Sequence, residues 1–281
     1  MKHIPVLLNA VMKALGDVQG KKIIDATFGA GGYTKAFLTA GAEVVAFDRD
    51  LNVIAEAEKI KKDFGGRFSF VAKPFSAIAE LKDKYDAIVF DLGISSMQID
   101  IPNRGFSFRE DGPLDMRMSQ TGKTAAELIE QISVDDLAQV LKMYGDIKKA
   151  SLLAKIIKNA TPKTTMDLKA LIKNPKDIAP IFQALRIAVN DEMGELTRAL
   201  QAVPDLLNKD GKCICVTFHS LEDRIVKNTF RDWTSVPGDP RLPTIESAKF
   251  KLIKPVVPDD EELENNSRAR SAHMRGVIKS Y

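Results

Sequence analysis

Lys22-Ile23-Ile24-Asp25-Ala26-Thr27-Phe28-Gly29-Ala30-Gly31-Gly32-Tyr33-Thr34 is the stretch on which the fold turns. Its first half has the length and apolar character of a short buried strand, and its second half breaks into three glycines before helix-forming sequence resumes. Glycines between a strand and a helix let the backbone turn sharply and approach a ligand that a Cβ would exclude. Glu43-Val-Val-Ala-Phe-Asp48 then reads as a second strand ending on a carboxylate, the usual partner of the two hydroxyls of an adenosine ribose. Together they read as a nucleoside-cofactor site.

The dinucleotide fingerprint needs a third glycine where Thr34 stands. That weakens the case for a nicotinamide cofactor and favours S-adenosylmethionine, which needs no pyrophosphate cradle. A third strand over Phe68 to Ala72 leads into Pro74-Phe75-Ser76, and a fourth over Tyr85 to Gly93 carries a further acid, Asp91. With helices expected over 51–62 and 76–83, the pattern is an α/β, doubly wound parallel sheet. Ligands bind at the carboxyl ends of such strands, which is where Asp25, Asp48, Phe75 and Asp91 fall.

From Gly93 to Ser119 the chain has neither helical nor strand period. Phe106, Phe108, Leu114, Met116 and Met118 argue against disorder, so this reads as a functional loop folded over something. Beyond it the texture is helical: a capping box at Thr124 and Glu127, a second start at Ser133 and Asp136, an end at Gly145, and helices over about 148–159 and 166–172. Pro175 and Pro180 are expected to break the chain before a helix over 181–193. The sheet resumes near Lys212 and runs to Phe218, where Ser220 reads as a helix cap with Asp223 three residues on. Segments 248–257 and 272–279 close as an antiparallel hairpin. The expected organisation is a core over 1–119, an inserted helical domain over 120–198 that helps to grip RNA, and a second part of the core over 199–281.

Composition constrains less. A net charge of +3 is too mild to announce a nucleic-acid partner, so RNA binding needs a local patch, for which Arg104, Arg109, Arg117, Arg268, Arg270 and Arg275 are candidates. The acidic run from Asp259 to Glu264 reads as a solvated loop. Cys213 and Cys215 stand alone as one C-x-C pair, which suits reduced core cysteines better than zinc. His3, His219 and His273 have no metal-site spacing, and no metal is expected. With no signal peptide or membrane span in sight, a cytoplasmic enzyme is expected.

Longer segments are specific enough to carry a resemblance: His3-Ile-Pro-Val-Leu, Asp25-Ala-Thr-Phe-Gly-Ala-Gly-Gly, Asp91-Leu-Gly-Ile-Ser-Ser, Arg104-Gly-Phe-Ser-Phe-Arg, Gly112-Pro-Leu-Asp-Met-Arg-Met, Phe182-Gln-Ala-Leu-Arg-Ile-Ala-Val-Asn, Phe218-His-Ser-Leu-Glu-Asp-Arg-Ile-Val-Lys and Ser267-Arg-Ala-Arg-Ser. The chain resembles the bacterial small-subunit ribosomal RNA methyltransferase H (MraW) family from end to end. The resemblance implies a class I, Rossmann-like methyltransferase with an inserted helical domain. It also implies S-adenosylmethionine-dependent methylation of a cytidine N4 amine in the decoding centre of small-subunit (16S) ribosomal RNA. The expected partner is that RNA or its subunit; the oligomeric state is left open, a homodimer among the options.

The expected cofactor residues are Gly31, Gly32, Tyr33, Asp48, Phe75, Asp91 and Gln98, the last on the resemblance alone. Tyr33 stands where the family carries histidine, so a backbone contact there survives and an imidazole contact does not. Asp91, Asp115 and Arg117 are the expected catalytic residues, with Phe106 and Phe108 offered as a stack for a splayed-out base. For Asp115 the alternative is an ion pair with Arg117 or Arg109 that fixes the loop, and for the two phenylalanines it is anchoring to the core. Action on another RNA or nucleobase, a non-catalytic RNA-binding protein and a nicotinamide oxidoreductase remain as rival readings.

Overall fold

A computed structural model describes residues 5–236 and 248–281; His3 lies outside them. Seven strands, β1 (Lys22–Asp25), β2 (Glu43–Phe47), β3 (Phe68–Val71), β4 (Tyr85–Asp91), β5 (Leu207–Thr217), β6 (Phe250–Val256) and β7 (His273–Lys279), form one sheet in the order β3-β2-β1-β4-β5-β7-β6. β1 to β5 pair in parallel, and β7 runs antiparallel to both β5 and β6. The strand order reverses direction between β1 and β4, so the carboxyl ends of those two strands flank the crevice in which open α/β sheets bind ligands. Ala87, Ile88, Val89 and Phe90 of β4 are buried in succession, the continuous apolar run of a strand covered on both faces.

The helices are α1 (Leu8–Leu15), α2 (Gly32–Thr39), α3 (Ile54–Phe64), α4 (Ser96–Asp100), α5 (Ala125–Gln131), α6 (Val134–Gly145), α7 (Ala150–Ala160), α8 (Thr165–Ala170), α9 (Pro175–Asn190), α10 (Glu192–Leu206), α11 (Ser220–Thr234) and α12 (Asp260–Asn265). Two compact units result, one of residues 1–93 with 193–281 and one of residues 94–192. The first holds the sheet, and Leu196, Leu200 and Val203 of α10 bury in its core with Ile24, Phe90 and Val226. In the second, Phe106, Leu114, Met116 and Met118 pack with Ile129, Leu141 and Leu185. The boundaries expected at 120 and 198 therefore move to 94 and 192: the long loop belongs to the helical unit because its apolar side chains are part of that unit's core.

Several local expectations also change. Phe75–Glu80 is a 3₁₀ segment after Pro74, closed by the Ala77 N–H on the Pro74 carbonyl, instead of an α-helix over 76–83. Pro175 opens α9 at its first position and Pro180 lies inside it, at the cost of one internal hydrogen bond. A Cβ on Gly145 would lie 2.8 Å from the Pro180 carbonyl oxygen, so the bare glycine lets the end of α6 sit against α9. The acidic run is a helix capped by Asp259, and Glu262 accepts the N–H of Leu7. β6 and β7 form the expected closing pair, and both cysteines are buried and free.

Candidate functional site

The carboxyl edge of the sheet unit gathers buried acids. Asp25, the last residue of β1, is wholly buried and accepts the Thr34 hydroxyl at 2.6 Å and the Thr27 N–H at 3.2 Å. Thr34, which breaks the dinucleotide fingerprint, thus has a positive role that the motif comparison does not show. Thr27 in turn accepts the Asp91 N–H at 2.6 Å, tying the end of β4 to the glycine turn. Asp91 Oδ1 is buried with no hydrogen-bond partner among the described residues. Burial pushes the Asp25 carboxyl up to about 6 and the Asp91 carboxyl well above the usual range, with Asp25 and Glu222 adding like charge against Asp91.

Asp48 follows β2 and accepts the N–H groups of Gly29 and Asp50, each at 2.8 Å. Its carboxylate therefore both shapes the glycine turn and closes the end of β2; burial raises its pKa against those bonds. Gly31 has φ +75° and caps α2, and a Cβ there would meet Ile60 Cδ1 at 2.6 Å; one on Gly32 would meet Pro5 Cγ at 2.3 Å. A Cβ at either position would crowd these neighbouring side chains. The N–H groups of Gly32 and Tyr33 lie in the first turn of α2, where a helix has no acceptor of its own to offer them. The Tyr33 ring is buried against Phe37, and its hydroxyl donates to the Val6 carbonyl, so only its backbone faces the role expected of it. Phe75 is half-buried and meets Phe90 edge-on at 5.9 Å.

The turn after β5 differs from expectation. His219 caps α11 with Glu222 in reciprocal hydrogen bonds, and Ser220 is already helical. Glu222 is buried and accepts the Phe218 N–H at 2.9 Å. Asp223 forms a fork with Arg275 of β7 at 2.7 and 2.8 Å, which takes Arg275 out of any RNA-binding patch. The Arg275 guanidinium holds that carboxyl below its usual range.

In the helical unit the Arg117 guanidinium clasps the Asp115 carboxylate at 2.8 and 2.7 Å, and the Arg117 N–H adds a third bond to it at 2.9 Å. Burial pushes Asp115 up, but the bonds and charge of Arg117 outweigh it and the carboxyl lies below its usual value. Arg104 donates to the carbonyls of Arg117 and Met118, at 2.9 and 3.0 Å, and so serves the loop's own backbone. Phe106 is buried and Phe108 meets Phe182 edge-on at 5.3 Å; both rings anchor the loop. Gln98 is buried at the third position of α4, where its side chain accepts the Ser95 N–H at 3.1 Å. Arg109 and Arg270 are exposed. Asn190, absent from the expected site, holds the loop through Met116 and Met118. The local signal for it was a lone amide ending an otherwise apolar helix stripe.

Asp25 gives a pH test of this electrostatic picture. Its folded pKa of about 6 exceeds the ordinary 3.8, so the folded state binds the proton more tightly; that stability is present below the ordinary value and is lost as pH rises through the folded one. Asp25→Asn keeps an oxygen acceptor for the Thr27 N–H and turns its amide toward the Thr34 hydroxyl, which can rotate to accept, and the substitution is expected to stabilise the ligand-free protein at pH 8 by about 1 to 2 kcal/mol. The gain should fade below about pH 4. Urea denaturation at the two pH values measures it, and a variant less stable than wild type at pH 8 contradicts the assignment.

A parallel sheet with an antiparallel β7, a glycine turn after β1, and acids ending β1, β2 and β4 define a class I S-adenosylmethionine-dependent methyltransferase. The unpartnered Asp91 Oδ1 and the N–H groups of Gly32 and Tyr33, in a first turn that has no side-chain cap, fit a cofactor that carries a positive charge beside a carboxylate. Residues 1–280 match the MraW methylase family, and the chain belongs to it. Ribosomal RNA small subunit methyltransferase H of Sinorhizobium medicae is 46% identical over 300 residues, covering 100% of this chain and 88% of that protein. The protein of the same name in Brucella anthropi is 43% identical over 305 residues with the same coverage. A solved rRNA methylase from Streptococcus thermophilus aligns at 12% identity and a TM-score of 0.46, covering 100% of this chain and 99% of its own. Among the described residues no helix is long and apolar enough to cross a membrane.

Proposed function

We propose that this protein works in the cytoplasm, transferring a methyl group to the N4 amine of a cytidine in the decoding centre of small-subunit ribosomal RNA. The relatives' shared name supports the RNA substrate. The observation that carries the chemistry is Asp91, a carboxylate at the end of β4 with a buried oxygen still open. S-adenosylmethionine, when bound, supplies an electrophilic methyl group on a sulfonium. Asp48 would take its ribose hydroxyls, the N–H groups of Gly32 and Tyr33 its carboxylate, and Phe75 its adenine, with Gln98 as a further contact. A cytosine amine is a poor nucleophile because its lone pair is conjugated into the ring. The protein must therefore aim it, and positioning supplies roughly 7 to 11 kcal/mol in well-oriented reactions. Asp91 accepts a hydrogen bond from the amine, and the clasped Asp115 and Arg117 present a rigid clamp to the nucleotide.

Mass spectrometry of ribosomal RNA nucleosides from cells with and without the protein tests the substrate: N4-methylated cytidine should disappear with the protein, and an unchanged level rejects the reading. The clamp has its own test in single-turnover methylation. Asp115→Asn and Arg117→Ala should each slow transfer by about tenfold, because a displaced loop misaligns the base, while cofactor affinity stays nearly constant. Transfer at the wild-type rate in both variants removes the loop from the mechanism.

A further inference from the structure

Asp25 and Asp91 end neighbouring strands and are joined through one residue. The Thr27 N–H donates to Asp25 at 3.2 Å while its hydroxyl accepts the N–H of Asp91 at 2.6 Å. Every group that hydrogen-bonds the Asp25 carboxyl is neutral: Thr27 N–H, Thr34 N–H and the Thr34 hydroxyl. The titratable groups facing the two carboxyls in the sheet unit are Asp48 beyond β2, Tyr33 on α2 and Glu222 on α11. Among the described residues no lysine or arginine pairs with either carboxyl, and Asp91 Oδ1 has no partner at all. A buried pair of this kind holds negative charge poorly until a cation arrives.

We propose that Asp25 and Asp91 form one proton-linked acceptor: Asp91 gives up a proton when the cofactor's sulfonium binds and takes one from the substrate amine during transfer. This rests on the methyl-transfer reading above. The charges balance. The nitrogen–methyl bond forms as the methyl–sulfur bond breaks with its electron pair left on sulfur, which becomes neutral. The departing amine proton neutralises the Asp91 carboxylate. Asp25 touches neither reactant and acts as a positioning residue, its charge raising the proton affinity of Asp91. The raised pKa of both carboxyls, about 6 at Asp25, agrees with a proton being present to release near neutrality.

Calorimetry of the wild-type protein near pH 6.5, in buffers of different ionisation enthalpy, counts the protons released. S-adenosylhomocysteine is the comparison ligand, since it keeps the amino-acid part and lacks the sulfonium charge. S-adenosylmethionine should release more protons than S-adenosylhomocysteine, up to about one per site. Its affinity should rise with pH over the same range while that of S-adenosylhomocysteine changes little. Asp25→Asn should at least halve the difference and move the acidic limb of the kcat profile to lower pH, a shift that a purely structural role does not produce. Equal proton release with the two ligands, or an unmoved profile in the variant, overturns the proposal. Failure of both ligands to bind the wild-type protein removes the methyltransferase reading itself, a different and recognisable outcome.

Discussion

Replacing Asp48 with alanine is expected to weaken S-adenosylmethionine binding by about ten- to a hundredfold, the loss of roughly 1.5 to 3 kcal/mol that a hydrogen bond to a charged group contributes. Two effects add in the same direction. The ribose loses its acceptor, and the N–H groups of Gly29 and Asp50 lose the carboxylate that sets the glycine turn. Asp48→Asn separates them, because an amide oxygen still accepts from one of those N–H groups but offers the ribose a weaker partner. Its affinity should fall between those of wild type and Asp48→Ala. Calorimetry supplies the affinities, and thermal unfolding without ligand shows whether the alanine variant remains folded. A folded Asp48→Ala protein with wild-type affinity removes Asp48 from the cofactor site.

The sheet was legible because its central strands β1 and β4 are buried on both faces, which writes them into the sequence as short apolar runs, and because Asp25, Asp48 and Asp91 punctuate strand ends. What the sequence hid are partnerships between distant residues. Asp223 looked like a helix cap three residues after Ser220, yet its fork partner Arg275 lies 52 positions away across a strand that pairs with β5. Capping passed instead to His219 and Glu222, one residue earlier, because the helix begins at Ser220. Pro180 read as a break, but a helix already opened by Pro175 tolerates one missing N–H when its apolar face is buried by Ile181, Phe182 and Leu185. The long loop is the clearest case. Its chemistry was visible in Asp115 and Arg117, whereas the fact that they hold each other depends on a backbone geometry that no periodicity encodes.

That geometry rests heavily on Asn190, and its removal should be the most damaging single change in the helical unit. The side chain is buried at the end of α9; its amide donates to the carbonyls of Met116 at 2.7 Å and Arg186 at 2.9 Å, and its oxygen accepts the Met118 N–H at 2.8 Å. Met116 is itself buried with φ +62°, a conformation that costs a side-chain-bearing residue and persists only where its surroundings hold it. Asn190→Ala orphans a buried N–H and a buried carbonyl at about 1 to 3 kcal/mol each and frees the strained residue to relax, so a loss of about 3 to 5 kcal/mol is expected. Asn190→Asp keeps the acceptor for Met118 but turns a carboxylate toward two carbonyl oxygens, and should be no better tolerated. Denaturant unfolding gives the stability change, and hydrogen exchange at the Met118 amide reports the loop directly. If the loop is the clamp, methyl transfer in Asn190→Ala should fall well beyond any change in cofactor affinity. A variant of wild-type stability with a still-protected Met118 amide shows that the loop is held by its apolar side chains, and that the amide clasp is dispensable.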